Sequence, residues 1–167
     1  MEDRYSRNRL YVSEKEQSLI KDYNIFLGGA GIGSIVAECA LRFGFEHITI
    51  ADGDKVERSN LNRQNYTEDD IGRYKAECLA ERLLSINPDA QIDFHIEFLT
   101  PDNIEEMLNG HDVAINALDF KDKTHSSLMK YAKKENSRTA PIQLWLGRFC
   151  YNRRPIGTLH IRIVRRI

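Results

Sequence analysis

Cysteine is scarce. Cys39, Cys78 and Cys150 are the only three in 167 residues, and no two of them form a CxxC pair. That spacing excludes a cysteine-built zinc knuckle and a disulfide framework, so no structural zinc is expected. It also fits a reducing compartment, and a cytoplasmic chain is expected. Long apolar runs are missing as well. Nothing approaches the ~18 apolar residues of a membrane-spanning helix, and the opening MEDRYSRNRL lacks the apolar stretch of a secretory signal. Neither sign of charge dominates. With 24 Lys and Arg against 25 Asp and Glu the net charge is −1. No global field draws the chain to nucleic acid or anionic lipid, and neither is expected as a partner. Repeats, low-complexity tracts and linkers are absent too. What remains is ordinary globular composition, 41% apolar and 29% charged. A chain of this length buries about 70% of its unfolded surface and holds a core without staples.

The charge is unevenly placed. From Asn136 to Ile167 there is no Asp, Glu or Lys, while Arg138, Arg148, Arg153, Arg154, Arg162, Arg165 and Arg166 fall there. At the earlier acidic frequency such a gap has odds on the order of one in a thousand. Residues 141–167 therefore read as a basic tail of uncertain origin. Two explanations stay open: a basic edge strand that touches phosphates or a partner, and a truncation whose tail comes from a shifted reading frame. Sequencing the gene in all three frames separates them.

Residues 1–22 read as an N-terminal helical arm, and 23–140 as the main domain. Tyr23–Leu27 is a short buried strand, and Gly28–Gly33 (GGAGIG) a tight turn. Ser34–Phe43 is helical, and His47–Ala51 a second strand closed by Asp52-Gly53-Asp54. Ile71–Ile86 is a long amphipathic helix with Ala76, Leu79, Ala80, Leu83 and Leu84 on its apolar face, stopped at Asn87-Pro88. Ile92–Phe98 is a third strand, Pro101–Leu108 a helix, Val113–Leu118 a fourth strand and Lys123–Glu135 a helix. Pro141–Leu146 is a candidate fifth strand. Strands alternating with helices predict an α/β, Rossmann-like, doubly wound and mostly parallel sheet with helices on both faces. Ligands in such sheets bind at the carboxyl ends of the strands, which singles out Gly28–Gly33, Asp52–Gln64 and Asp119.

Gly28, Gly31 and Gly33 follow a strand and open a helix, an arrangement that brings backbone N–H groups to a phosphate. Asp52 ends the next strand, nineteen positions after Gly33, where a carboxylate accepts from ribose hydroxyls. Together they point to an adenine nucleotide. The plain alternative is a turn that needs glycine for its backbone angles. Ala30 stands where GxGxxG has its middle glycine, and its methyl is expected to crowd the phosphate unless Gly29 lets the loop shift. A triphosphate needs cations and Mg²⁺. Arg58, Arg63 and Lys75 are the candidate cations, and Asp119 the candidate magnesium ligand.

Asp52–Gln64 reads DGDKVERSNLNRQ, Ile71–Lys75 reads IGRYK, Arg4–Asn8 reads RYSRN, and Ile86-Asn87-Pro88 follows. With GGAGIGS these closely resemble the ThiF/MoeB/HesA family, relatives of the ubiquitin-activating enzymes. The family's usual text is RYSRQ, GAGGLGS, DxDxVxxSNLxRQ, IGxxKA and INP. The resemblance runs from about Arg4 to about Ala140. It implies an ATP-dependent adenylyltransferase acting on the C-terminal glycine carboxylate of a small ubiquitin-like sulfur-carrier protein, as in thiamine or molybdopterin biosynthesis. It implies Asp52 at the ribose, and Asn60, Arg63 and Lys75 around the phosphates. Gln64 completes the same motif among the nucleotide-binding positions, and Asp119 orients magnesium. It also implies that Arg7 reaches a partner subunit's nucleotide site, hence a homodimer. The catalytic set is then Arg7, Arg63, Lys75 and Asp119.

Each of these has a plainer reading. Lys75 is otherwise a solvated helix lysine, and Arg63 a surface partner of Glu57, Glu68 or Asp69. Asp119 is otherwise a helix cap. Asp54 either joins the nucleotide site with magnesium or only closes its turn, the turn being preferred. The five histidines share no ligand spacing. Cys39 and Cys78 read as core. Asn8 stands for the family's glutamine, and Phe120 for an asparagine. The family's later part, with two CxxC pairs, a crossover loop and much of the carrier-binding surface, has no counterpart here. The alternative reading is therefore a truncated, non-catalytic nucleotide-binding or dimerisation module. An NAD-binding module is a third reading, which SNLNRQ and the IGRYK lysine oppose.

Overall fold

The computed structural model describes residues 4–118, 127–128 and 142–143. Its centre is a sheet of five parallel strands: β1 (Asn24–Gly28), β2 (His47–Ala51), β3 (Gln91–His95), β4 (Val113–Asn116) and β5 (Ile142–Gln143). The spatial order is β3-β2-β1-β4-β5. β1 pairs in register with His47–Ala51 on one side and Val113–Asn116 on the other. The helices are α1 (Glu14–Lys21), α2 (Gly33–Phe43), α3 (Lys75–Ile86) and α4 (Ile104–Leu108), with short 3₁₀ turns at Ser6–Leu10, Arg58–Asn60 and Glu68–Asp70.

The central strands β1, β2 and β4 are buried on both faces, as parallel sheets are, and the two-residue period of the strands sorts the side chains. Ile25, Leu27, Ile48, Ile50 and Ile115 pack with Ala37 and Leu41 of α2 and Ala76, Leu79, Ala80 and Leu83 of α3. Phe26, Ala51 and Ala114 face the other way, onto Leu99, Ile104, Leu108 and Leu128. Each fully buried large side chain contributes about 1.5–3 kcal/mol. The expected α/β, Rossmann-like sheet with helices on both faces is what forms.

Several boundaries differ from the sequence reading. The helix expected from Ile71 starts at Lys75. Gly72 has φ +86°, and Lys55 pairs antiparallel with Tyr74, so residues 71–74 are committed to a bridge before the helix begins. Leu84, expected on the apolar face, is exposed, because α3 buries only the narrower stripe that meets the sheet. The third strand ends at His95 rather than Phe98, and the helix after Pro101 begins at Ile104. Cys39 is exposed, not core; Cys78 is buried. Burial, with Asp70 nearby, pushes the Cys78 thiol up to about 11, which keeps it a thiol. Of the expected helix Lys123–Glu135 only 127–128, helical, are described, and of Pro141–Leu146 only β5. Asp119, Phe120, His125, Cys150, His160 and the tail 144–167 lie outside the described residues. No helix among the described residues is long and apolar enough to cross a membrane.

The arm docks by polar contacts at the amino end of β2. Ser13 and Glu16 close a capping box that starts α1. Arg4 Nη1 donates to the Ile86 carbonyl (2.8 Å), and Asn8 Nδ2 and Gln17 Nε2 both donate to the Phe43 carbonyl (2.9 Å each). Tyr5 Oη donates to the buried Glu46 carboxylate at 2.9 Å, and Lys21 Nζ reaches its other oxygen at 3.0 Å. Burial and the Glu46 carboxylate push the Tyr5 phenol up to about 12, so it stays a donor. Tyr5→Phe leaves a buried carboxylate short of one donor, and unfolding in urea should show a loss of about 1–3 kcal/mol. Because the folded-state pKa is raised, that stabilisation is complete below pH 10 and lost as pH rises through about 12. An unchanged urea midpoint for Tyr5→Phe at neutral pH would show that the arm is held by its other contacts.

Candidate functional site

The glycine turn leaves the carboxyl end of β1 between the ends of its two neighbours. Gly29 N–H donates to the Ala51 carbonyl (3.0 Å), and Ala117 N–H to the Gly28 carbonyl (2.8 Å). Gly29 has φ +94°, and a Cβ there would lie 2.8 Å from the backbone carbon and oxygen of Ala117. Only glycine meets both demands. Gly33 lets α2 approach the sheet, since a Cβ would come within 2.9 Å of Leu27 and 3.0 Å of Ala117. Gly28 is equally confined, by Leu99 and Leu128.

Ala30 does not crowd the loop as expected. Its side chain is fully buried in the core beneath α2 and α3, while its backbone does the polar work. Its N–H donates to Asp52 Oδ2 (2.7 Å), and its carbonyl accepts from Tyr66 Oη (2.7 Å). The conformational freedom is supplied one residue earlier, at Gly29.

Past the turn, no acceptor among the described residues takes the N–H groups of Gly31, Ile32 or Gly33, and the helix cap Ile32 has no side chain to offer. Three donors at the N-terminus of an eleven-residue helix form an anion cradle. A Cβ on Gly31 would sit 3.2 Å from Gln64 Nε2. The same amide's Oε1 is buried without a hydrogen-bond partner. The free N–H groups suit an anion, whereas the orphaned amide oxygen is an acceptor that asks for a ligand donor such as a hydroxyl.

Asp52 sits under this turn. One oxygen holds the Ala30 N–H and the other the Asp54 N–H, each at 2.7 Å. Burial raises its pKa, and those two N–H groups and Lys75 work against the rise. Both oxygens keep a second lone pair for a ligand hydroxyl.

Lys75 is the first residue of α3 and is 7% exposed. Its N–H donates to the Asp54 carbonyl (2.9 Å), and its Nζ pairs with Asp54 Oδ2 (3.0 Å). Asp54 thus does more than close its own turn. Val56 N–H to Arg73 O and Gly72 N–H to Val56 O, both 2.9 Å, tie the two chain segments together. Residues 57–71 form an excursion closed at its base. Inside it, Asn65 N–H donates to Ser34 Oγ (3.1 Å) and Tyr66 Oη reaches the Ala30 carbonyl, so Gln64–Tyr66 lies along the glycine turn.

Gly28, Gly31, Gly33, Asp52, Asp54, Gln64 and Lys75 are therefore brought together. Asn60 and Arg63 are turned onto their own loop. Asn60 Oδ1 accepts from the Glu57 N–H (3.0 Å), and Arg63 Nη1 donates to Ser59 O and Asn62 Oδ1 (2.9 Å each). Arg58, not Arg63, pairs with Glu68. Arg7 is exposed on the arm, at the opposite end of the sheet from the glycine turn. Tyr66 and Ser34 shape the site and were not singled out in the sequence. A tyrosine two residues past the RQ dipeptide was the available signal for the first. No cluster of three metal-ligating side chains occurs among the described residues.

Known proteins similar to this chain bear on its family and fold. A tRNA threonylcarbamoyladenosine dehydratase of Haemophilus influenzae is 34% identical over 136 residues, 80% of this chain and 52% of that protein. The sulfur carrier protein ThiS adenylyltransferase of Bacillus subtilis is 37% identical over 125 residues, 71% of this chain and 37% of that protein. Among solved structures, the Escherichia coli tRNA threonylcarbamoyladenosine dehydratase in complex with ATP superposes with a TM-score of 0.78 at 34% identity, over 84% of this chain and 58% of that one. The chain spans about half the length, or less, of these curated relatives. The ThiF family model matches residues 5–138, and with that match, this sheet and this glycine turn, the chain belongs to the ThiF family.

Proposed function

We infer that this chain transfers AMP from Mg·ATP to a carboxylate at the carboxyl ends of β1, β2 and β4. The observation that carries the reading is the anion cradle: three free N–H groups at Gly31–Gly33, with the buried Lys75 ammonium at the same strand ends. In the reaction a carboxylate oxygen bonds to the α-phosphorus, the bond to the bridging β-phosphate oxygen breaks, and pyrophosphate leaves with that electron pair. The nucleophile is ionised at neutral pH, so no general base is required. Catalysis is then positioning of two anions and stabilisation of charge on the leaving group.

Asp52 accepts from the ribose hydroxyls, and Lys75 exchanges part of its pairing with Asp54 for phosphate. Asn60 and Arg63 join the phosphates only by leaving the Glu57, Ser59 and Asn62 contacts that hold them. Mg²⁺ supplies charge neutralisation on the triphosphate, and Asp119 is the residue assigned to hold it. Arg7, remote from its own glycine turn, serves the site of a second copy, which makes the working unit a homodimer.

The acceptor we favour is the C-terminal glycine carboxylate of a ubiquitin-like sulfur carrier. Similarity to a ThiS adenylyltransferase supports it. A second reading, supported by the tRNA dehydratase relatives, is the threonyl carboxylate of a modified adenosine in tRNA. Pyrophosphate–ATP exchange separates them. Exchange that depends on a carrier ending in glycine supports the first reading, and exchange that depends on tRNA bearing the threonylcarbamoyl group supports the second. A chain that binds Mg·ATP yet exchanges with neither is the non-catalytic module.

A further inference from the structure

β3 is the edge strand of the described sheet on the β2 side, and Asp93 is the one acidic residue on it. Between Pro88 and Pro101 there is no proline, lysine or arginine. Phe94 on the strand, and Ile96 and Phe98 past its end, are 43%, 43% and 63% exposed.

The polarity of this edge follows from the β2–β3 ladder. Gln91 N–H donates to the Glu46 carbonyl, and the His95 carbonyl accepts from Asp52 N–H. In a strand, a residue's N–H and C=O point to one side and its neighbours' to the other. Gln91, Asp93 and His95 therefore face β2. Ile92 and Phe94, and Ile96 just beyond, present their N–H and C=O groups outward, unpaired among the described residues.

We propose that β3 pairs antiparallel with β3 of a second copy of this chain, about a two-fold axis at Phe94. That register is self-complementary. Phe94 meets its own copy as a hydrogen-bonded pair, and Ile92 meets Ile96 on both sides, all through the outward-facing backbone groups. Asp93 then falls opposite His95 twice, in the non-hydrogen-bonded positions where side chains approach most closely. Other centres fail: an axis at Asp93 sets that carboxylate against itself, and one at His95 sets Asp93 against Glu97. Only the axis at Phe94 matches acid to imidazole while covering Ile92, Phe94 and Ile96. The result is one sheet continuous through two chains. The pairing involves the outer edge of β3 and makes no use of Arg7.

Residue-resolved amide hydrogen exchange of the full chain, at low and high protein concentration, tests the register. The Ile92, Phe94 and Ile96 amides are expected to slow as concentration rises. Asp93→Arg should weaken the association at least tenfold and restore their fast exchange, while Asp93→Arg with His95→Glu, which reverses the pair, should slow them again. Fast exchange at every concentration overturns the proposal. So does protection that is independent of concentration, because it means the same chain covers the edge. An unchanged association constant for Asp93→Arg overturns the register.

Discussion

Lys75→Ala should abolish measurable Mg·ATP binding while leaving the fold nearly as stable as before. The two effects differ because of where the partners sit. Lys75 Nζ is buried, but the Asp54 carboxylate it pairs with is 55% exposed. Once the lysine is gone, that carboxylate rehydrates, so the folding cost is small, as for other solvent-accessible ion pairs. The backbone bond from residue 75 to Asp54 survives the substitution and still starts α3. A triphosphate has no such recourse. Losing one buried charge partner at a phosphate costs about 3 kcal/mol of binding, or ~10² in Kd. Calorimetric titration of wild type and variant with Mg·ATP, and of wild type with NAD, reads the effect directly. Saturable ATP binding by wild type alone is the expected result. A variant that titrates like wild type removes Lys75 from the site, and a wild type that takes NAD instead of ATP removes the adenylation reading.

Gly29→Ala should be the most damaging methyl addition in the domain. The left-handed φ of +94° alone costs a β-carbon about 1–2 kcal/mol. Here the β-carbon also meets the Ala117 carbonyl carbon and oxygen at 2.8 Å, which are backbone atoms of the strand-end segment and cannot rotate away. Relief requires the turn or the end of β4 to move, so the total should reach about 3 kcal/mol or more. Gly72→Ala is the matched control. Its φ of +86° is nearly the same, but nothing lies within 4 Å of the added carbon. It should lose only the conformational part, about 1 kcal/mol. Urea unfolding of both variants separates clash from strain. Equal losses would show that the approach to Ala117 relaxes freely.

The two readings that held best in the sequence, the sheet and the family, rest on local pattern. Apolar runs of four to five residues alternating with amphipathic stretches specify parallel strands and crossover helices. A strand, a glycine turn, a helix and an acid in order place the site at the strand ends. DGDKVERSNLNRQ and IGRYK then name the family, which the match over residues 5–138 bears out.

What the pattern could not carry was direction. Ala30 reads as a defect in GGAGIGS, yet its methyl belongs to the core and its backbone serves Asp52 and Tyr66. Periodicity put Cys39 and Leu84 on apolar faces, but each helix buries only the stripe that the sheet reaches, and both residues fall outside it. The family resemblance put Arg63 with Lys75 around the phosphates, and its guanidinium rests here on Ser59 and Asn62.

The sequence by itself determined which kind of sheet forms and which family the chain belongs to, and it pointed to the end of the sheet where the site is proposed, because these follow from residue order along the chain. The tertiary structure decided which N–H groups stay free at Gly31–Gly33, which carboxylate Lys75 meets, and which edge stands open at β3. Those depend on the mutual placement of segments tens of residues apart, which packing sets and no local window contains.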